Sequence, residues 1–224
     1  VFLCALTFGE DACGQTASSA TNDRWQTPYE ASEGNETATY LSAIDFYRRL
    51  AERFDRVQMQ ASGPTDSGFP LHLVLVADDG DFDLTRARSA GKSVLLINNA
   101  IHPGEPDGVD ASMMLVRDLA RNGMPTDVIV AVIPMYNIGG ALNRNSGTRA
   151  NQNGPKEYGF RGNAQNYDLN RDFIKCDTRN AQSFAAIFQL LDPDVLIDTL
   201  VSNGADYQYV MTSAHSQKDK LGLG

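Results

Sequence analysis

Val94-Leu95-Leu96-Ile97-Asn98-Asn99-Ala100-Ile101-His102-Pro103-Gly104-Glu105-Pro106-Asp107-Gly108 joins an unbroken apolar run to a turn and then to a helix start. Four consecutive aliphatic residues suit a strand with both faces covered. Pro103 and Gly104 end that strand, so His102 and Glu105, three residues apart, stand over the sheet edge. An imidazole nitrogen and a carboxylate oxygen form a donor pair that suits Zn²⁺. Two donors do not complete a site, and the rest of the chain has to be read for a third.

The flanks place this stretch in an α/β pattern. Upstream, Tyr40, Ile44, Tyr47, Leu50 and Phe54 follow helical spacing behind a capping threonine, Thr37 or Thr39. Gly63-Pro64-Thr65-Asp66-Ser67-Gly68 is a turn, and Leu71 to Ala77 is a strand. The polar residues between that strand and Ser93–Asn98 are hairpin-like. Downstream, Asp107 can cap a helix with Val109, Met113, Val116 and Leu119 on its inner face, ending at Asn122-Gly123. Val128–Ile133 is another wholly apolar strand. A helix is expected from about Thr178 to Leu191, stopped by Asp192-Pro193, followed by the strand Val195–Thr199 and a further strand at Tyr207–Thr212. The pattern predicts one α/β domain, a mixed and largely parallel sheet with helices on its faces, over residues 37–224.

Residues 1–36 read as a leader and linker. Val1–Phe8 is apolar and too short to span a bilayer, like the end of a signal-peptide hydrophobic region; a buried strand is the other reading. The signal reading implies a secreted or periplasmic protein. Asn35-Glu36-Thr37 is a glycosylation sequon if the source glycosylates its secreted proteins. The net charge of −9, without any basic stripe, gives no support to nucleic-acid or anionic-membrane binding. Three cysteines, Cys4, Cys13 and Cys176, have no close pairing, so neither a disulfide framework nor a thiolate zinc site is indicated.

Residues 137–170 form a long Asn/Gly-rich stretch. A loop of that length within a compact domain is usually functional. It runs into Gly159-Phe160-Arg161-Gly162-Asn163-Ala164-Gln165-Asn166-Tyr167-Asp168-Leu169-Asn170-Arg171-Asp172-Phe173, with two arginines ten residues apart. A guanidinium fork matches a carboxylate and can stabilise an oxyanion. The alternative is that these arginines are solvated or paired with Asp168 or Asp172.

Three blocks, His102-Pro103-Gly104-Glu105, Asn163 to Phe173, and Ile197-Asp198-Thr199 to Ser202-Asn203-Gly204, resemble the zinc carboxypeptidases of the carboxypeptidase A family in order and separation. The resemblance covers roughly residues 38–215 and implies a carboxypeptidase-like fold. It makes His102 and Glu105 the first two zinc ligands. Asn170 and Arg171 would grip the terminal carboxylate of the substrate, and Arg161, ahead of Arg144 and Arg149, would polarise the scissile carbonyl. The implied cofactor is Zn²⁺, and the implied partners are peptide or protein C-termini.

Two departures qualify this expectation. The third ligand of the family is a histidine, and that position here holds Leu200, which has no donor atom. The other histidines are His72, on a strand, and His215, fifteen residues past Leu200. The general-base glutamate and the closing tyrosine of the family lie well beyond the third ligand. Neither is found before Gly224, so the chain is expected to be the front part of a longer enzyme or a truncated relative. The sequence therefore leads to a metallocarboxypeptidase or part of one. The alternative is an inactive relative that holds peptide C-termini without cutting them.

Overall fold

The computed structural model describes residues 24–150 and 152–201. Its elements in chain order are α1 (Pro28–Ala31), α2 (Tyr40–Arg53), β1 (Val57–Pro64), β2 (Pro70–Ala77), α3 (Leu84–Ser89), β3 (Ser93–Asn98), α4 (Asp107–Asn122), β4 (Val128–Ile133), α5 (Ile138–Leu142), α6 (Arg179–Leu191) and β5 (Val195–Asp198). A single 3-10 turn, Leu169–Arg171, precedes α6. The five strands form one mixed sheet in the order β1-β2-β4-β3-β5. β1 with β2 and β2 with β4 are antiparallel, whereas β3 is parallel to both β4 and β5.

Alternation along the strands builds two cores. Val74 and Val76 of β2 and Val130 and Val132 of β4 point to a layer containing α2 and α4. Leu71, Leu73, Leu75, Ile129, Ala131 and Ile133 point the other way, toward Phe184, Ile187 and Leu191 of α6. Because side chains alternate sides with period two, only a continuous apolar run can fill both layers. Tyr40, Ala43, Tyr47 and Leu50 make the buried stripe of α2, and Val109, Met113, Val116 and Ala120 that of α4.

The helix ends show why the chain turns where it does. The Oγ1 of Thr39 accepts from the Ser42 N–H to start α2, so Thr39 rather than Thr37 is the cap. Thr178 does the same for α6 through Ala181, and that helix stops at Asp192 in the left-handed conformation, φ 42°. Gly123, φ 88°, closes α4 as expected. The start of α4 differs from the sequence reading. Pro106 occupies the cap position without a side-chain bond, and Asp107 is already helical. Its carboxylate sits in the first turn, where the helix dipole favours negative charge.

Three elements lay outside the expected pattern. β1 is an edge strand in which Val57 alone is fully buried, and its alternation, Val57-Gln58-Met59-Gln60, gives way to small residues from Ala61, too short a pattern to mark the strand. The segment between β2 and β3 is not a hairpin, because β4 lies between those strands and the segment carries α3, capped by Asp83. The long loop contains α5, where Gly139 and Gly140 conceal any helical period. Part of the stretch read as linker also packs on the domain: Trp25 is buried against Phe46 and Phe54, and Glu30 pairs with Arg117 of α4. β5 keeps Val195, Leu196 and Ile197 more than two-fifths exposed. The expected signal remnant, the strand at Tyr207–Thr212, the Ser202-Asn203-Gly204 block and His215 lie outside the described residues.

Candidate active site

Beyond Asn98 the chain leaves the sheet while its backbone stays tied to the segment after β4. The Asn99 N–H donates to the Ile133 carbonyl, and Asn99 and Ala100 accept from Tyr136 and Asn137. A tight turn then returns the Glu105 N–H to the His102 carbonyl at 2.8 Å. The two side chains are 2% and 3% exposed. His102 Nδ1 lies 3.2 Å from Glu105 Oε1, so the predicted donor pair converges.

Asp168 meets the other ring nitrogen, its Oδ1 3.2 Å from His102 Nε2. The second oxygen of Asp168 accepts from Arg161 through Nε and Nη2, both at 3.0 Å. Arg161 is thus paired with Asp168, the alternative weighed from the sequence, and its Nη1 also lies 3.5 Å from His102 Nδ1. Glu105 is held by two donors, Arg149 Nη2 at 2.8 Å on Oε1 and the Val201 N–H at 3.0 Å on Oε2. Burial alone would raise the Glu105 carboxyl. The bonds from His102, Val201 and Arg149 outweigh it and hold the group below the ordinary glutamate range. Asp168 follows the same balance: burial raises it, and His102 and Arg161 bring it below the usual value.

The long loop delivers these arginines through backbone bonds. Gly159 N–H donates to the Pro103 carbonyl and Phe160 N–H to that of Gly140, and Asn137 Nδ2 bridges the carbonyls of Ile101 and Arg161. A Cβ on Gly140 would collide with the Phe160 carbonyl, so glycine permits this approach. Arg149 is oriented by Gln152 and by the Tyr158 hydroxyl on its backbone N–H. Arg144 points elsewhere, to the carbonyls of Ala38 and Glu157.

Asn170 and Arg171 sit on the 3-10 turn that Asp168 caps, with the Asn170 N–H 3.0 Å from Asp168 Oδ1. The guanidinium of Arg171 is exposed and donates to the Asn170 carbonyl. The pair therefore stands beside the centre without bonding to His102 or Glu105. Leu200 is 47% exposed and adjoins Val201, whose N–H binds Glu105. His72 lies on β2, separated from β3 by β4, and its ring faces Tyr40, so it is not part of the centre. A cavity of about 620 Å³ opens behind the turn, lined by Thr37, Pro106, Asp107, Asp110, Gln152 and Val201.

Among the described residues no three His, Cys, Asp or Glu side chains converge on one metal position. The donor set here is partial: His102 Nδ1 and Glu105 suit a zinc ion, Asp168 is placed to fix the ring, and Leu200 contributes nothing. His102, Glu105 and Arg161, singled out from the sequence, lie together here. From the sequence Asp168 is only an ion-pair partner, and Arg149 ranks behind Arg161. The one signal for Asp168 was its place two residues before Asn170-Arg171.

No family model and no curated protein matches the chain. Solved structures do. A metallo-carboxypeptidase from Burkholderia cenocepacia superposes with a TM-score of 0.59 at 18% identity, over 76% of this chain and 43% of that one. A Pseudomonas aeruginosa metallo-carboxypeptidase, in complex with (2-guanidinoethylmercapto)succinic acid, gives 0.53 at 18% identity, over 72% and 39%. The carboxypeptidase A of Helicoverpa armigera gives 0.54 at 14% identity, over 73% and 46%. The chain spans less than half the length of each of these structures. A shared sheet and shared flanking helices at such low identity establish architecture, and the fold of this chain is that of the metallo-carboxypeptidases.

Proposed function

We propose zinc-dependent metallocarboxypeptidase chemistry, release of the C-terminal residue of a peptide, for the protein to which this centre belongs. One observation carries the reading: the buried His102–Glu105 pair, 3.2 Å apart at the carboxyl end of β3, with a carboxylate on the far nitrogen of the imidazole. A proton held on Nε2 by Asp168 leaves the Nδ1 lone pair for a cation, the arrangement expected of a metal-binding histidine. When bound, zinc supplies a Lewis acid for the carbonyl and lowers the pKa of attacking water. Leu200 adds no donor, so the remaining ligands would be water or groups outside the described residues.

The other residues take roles their chemistry allows. The exposed fork of Arg171, with Asn170, recognises the free carboxylate that defines an exopeptidase substrate. The guanidinium groups of Arg149 and Arg161 flank the donor pair and supply positive charge where an oxyanion develops. Metal analysis of the full-length protein and a peptide assay test the reading. Near-stoichiometric zinc and cleavage of free-acid peptides, both lost in His102→Gln, are expected. Zinc-free protein that cleaves nothing refutes it.

A second reading, retention of peptide C-termini without cleavage, is favoured by Leu200 and by the full pairing of Glu105. It predicts binding of free-acid peptides by metal-free protein, with no product formed.

A further inference from the structure

The ends of β3 and β5 carry a side-chain pair that the hydrolytic chemistry does not use. Asn98 and Asp198 are opposite one another in the parallel register, and Asn98 Nδ2 donates to Asp198 Oδ1 at 2.9 Å. Asn98 is wholly buried, and its own Oδ1 has no hydrogen-bond partner. An amide oxygen left unpaired away from water is costly. It can only accept, so whatever satisfies it must be a donor. The carboxyl that the Asn98 amide already contacts becomes that donor when it carries a proton.

We propose that Asp198 is protonated in the folded protein and donates through its second oxygen to Asn98 Oδ1, closing a neutral cyclic acid–amide pair between β3 and β5. The surroundings favour the proton. Burial raises the Asp198 carboxyl above the ordinary aspartate range and Glu105 adds to this, while the Asn98 bond and His102 oppose it. Tyr136, from the segment after β4, is a further titratable group in its field. The pair anchors the next three residues. Thr199 N–H donates to the Asn98 carbonyl at 3.0 Å, Thr199 Oγ1 reaches Asn99 Oδ1 at 3.0 Å, and the Val201 N–H ends on Glu105 Oε2. Asp198 is therefore a positioning residue that keeps residues 199–201 against the centre. The inference goes beyond the hydrolytic reading and does not depend on it.

Asp198→Asn is the decisive substitution, because an asparagine presents the same donor and acceptor as a protonated aspartic acid at every pH. Unfolding of the full chain is compared with that of the variant across the acid-to-neutral range. The folding constant of the parent should fall, relative to the variant, by about tenfold per pH unit between the ordinary carboxylate range and the folded midpoint. The variant should be at least as stable as the parent at neutral pH. A variant weaker than the parent by a factor that does not change with pH overturns the proposal. Carbon-13 NMR of the Asp198 carboxyl in the parent decides the matter independently of how the variant folds. Titration above the ordinary aspartate range supports the pair, and titration at or below that range overturns it.

Discussion

Asp110 offers a stability test whose size can be worked from the structure. It lies in the first turn of α4, is 3% exposed, and accepts from the Thr37 hydroxyl and the Ala38 N–H. Burial pushes its carboxyl up from 3.8 to about 6, and the two bonds only partly offset that effect. Its folded pKa is thus above its unfolded one, so the folded state holds the proton more tightly. The stabilisation is complete below the unfolded value and is lost as pH rises through about 6. A difference of about two units corresponds to about 3 kcal/mol in all, and about 2.5 kcal/mol of it falls between about pH 4 and pH 8. Asp110→Asn removes the titration. Denaturant unfolding of parent and variant at those two pH values gives a difference of differences in which every other ionisable group cancels. The variant should gain about 2.5 kcal/mol on the parent over that interval. A gap that stays constant within about 0.5 kcal/mol would show that the carboxyl is ionised throughout, and the burial argument would fail.

The centre supports further tests. Leu200→His should raise zinc affinity, read by calorimetry, because the residue adjoins Val201 on Glu105; unchanged affinity would mean that position 200 does not face the donors. Arg171→Ala should weaken binding of free-acid peptides by at least about tenfold while leaving C-terminally amidated ones unaffected, and equal losses would remove the carboxylate clamp. Gly108→Ala should cost about 1–3 kcal/mol in thermal unfolding, because a Cβ there would overlap the side chain of Thr199, the residue after β5. A variant as stable as the parent would show that this contact is loose.

The parts of the fold that were legible in the sequence were those whose burial imposes a period. α2, α4 and α6 place apolar residues at helical spacing, and β2, β3 and β4 are short apolar runs, rich in Val, Leu and Ile, bounded by polar or turn residues. β1 escaped because an edge strand needs few apolar side chains. α5 escaped because its glycines answer to close backbone approaches, of Ala164 to Gly139 and of Phe160 to Gly140, which leave no apolar period. At the centre, the closeness of His102 and Glu105 was legible because three residues and one turn separate them. Arg149 was harder to rank, since its contact with Glu105 spans 44 positions and nothing in its neighbourhood signals the bond. Asp168 was visible as a possible partner for arginine. Its bond to His102 spans 66 positions and is a matter of three-dimensional closure.

That closure has a consequence in time. The bonds that complete the centre join residues 44, 66 and 96 positions apart, and the third of these arrives with Val201. Loop length adds little to the equilibrium cost, about 0.6 kcal/mol per doubling, but contacts distant in sequence slow folding. Trp25, the single tryptophan, reports only on the α2 layer. During refolding its fluorescence should recover first, and ligand-binding competence should lag behind it.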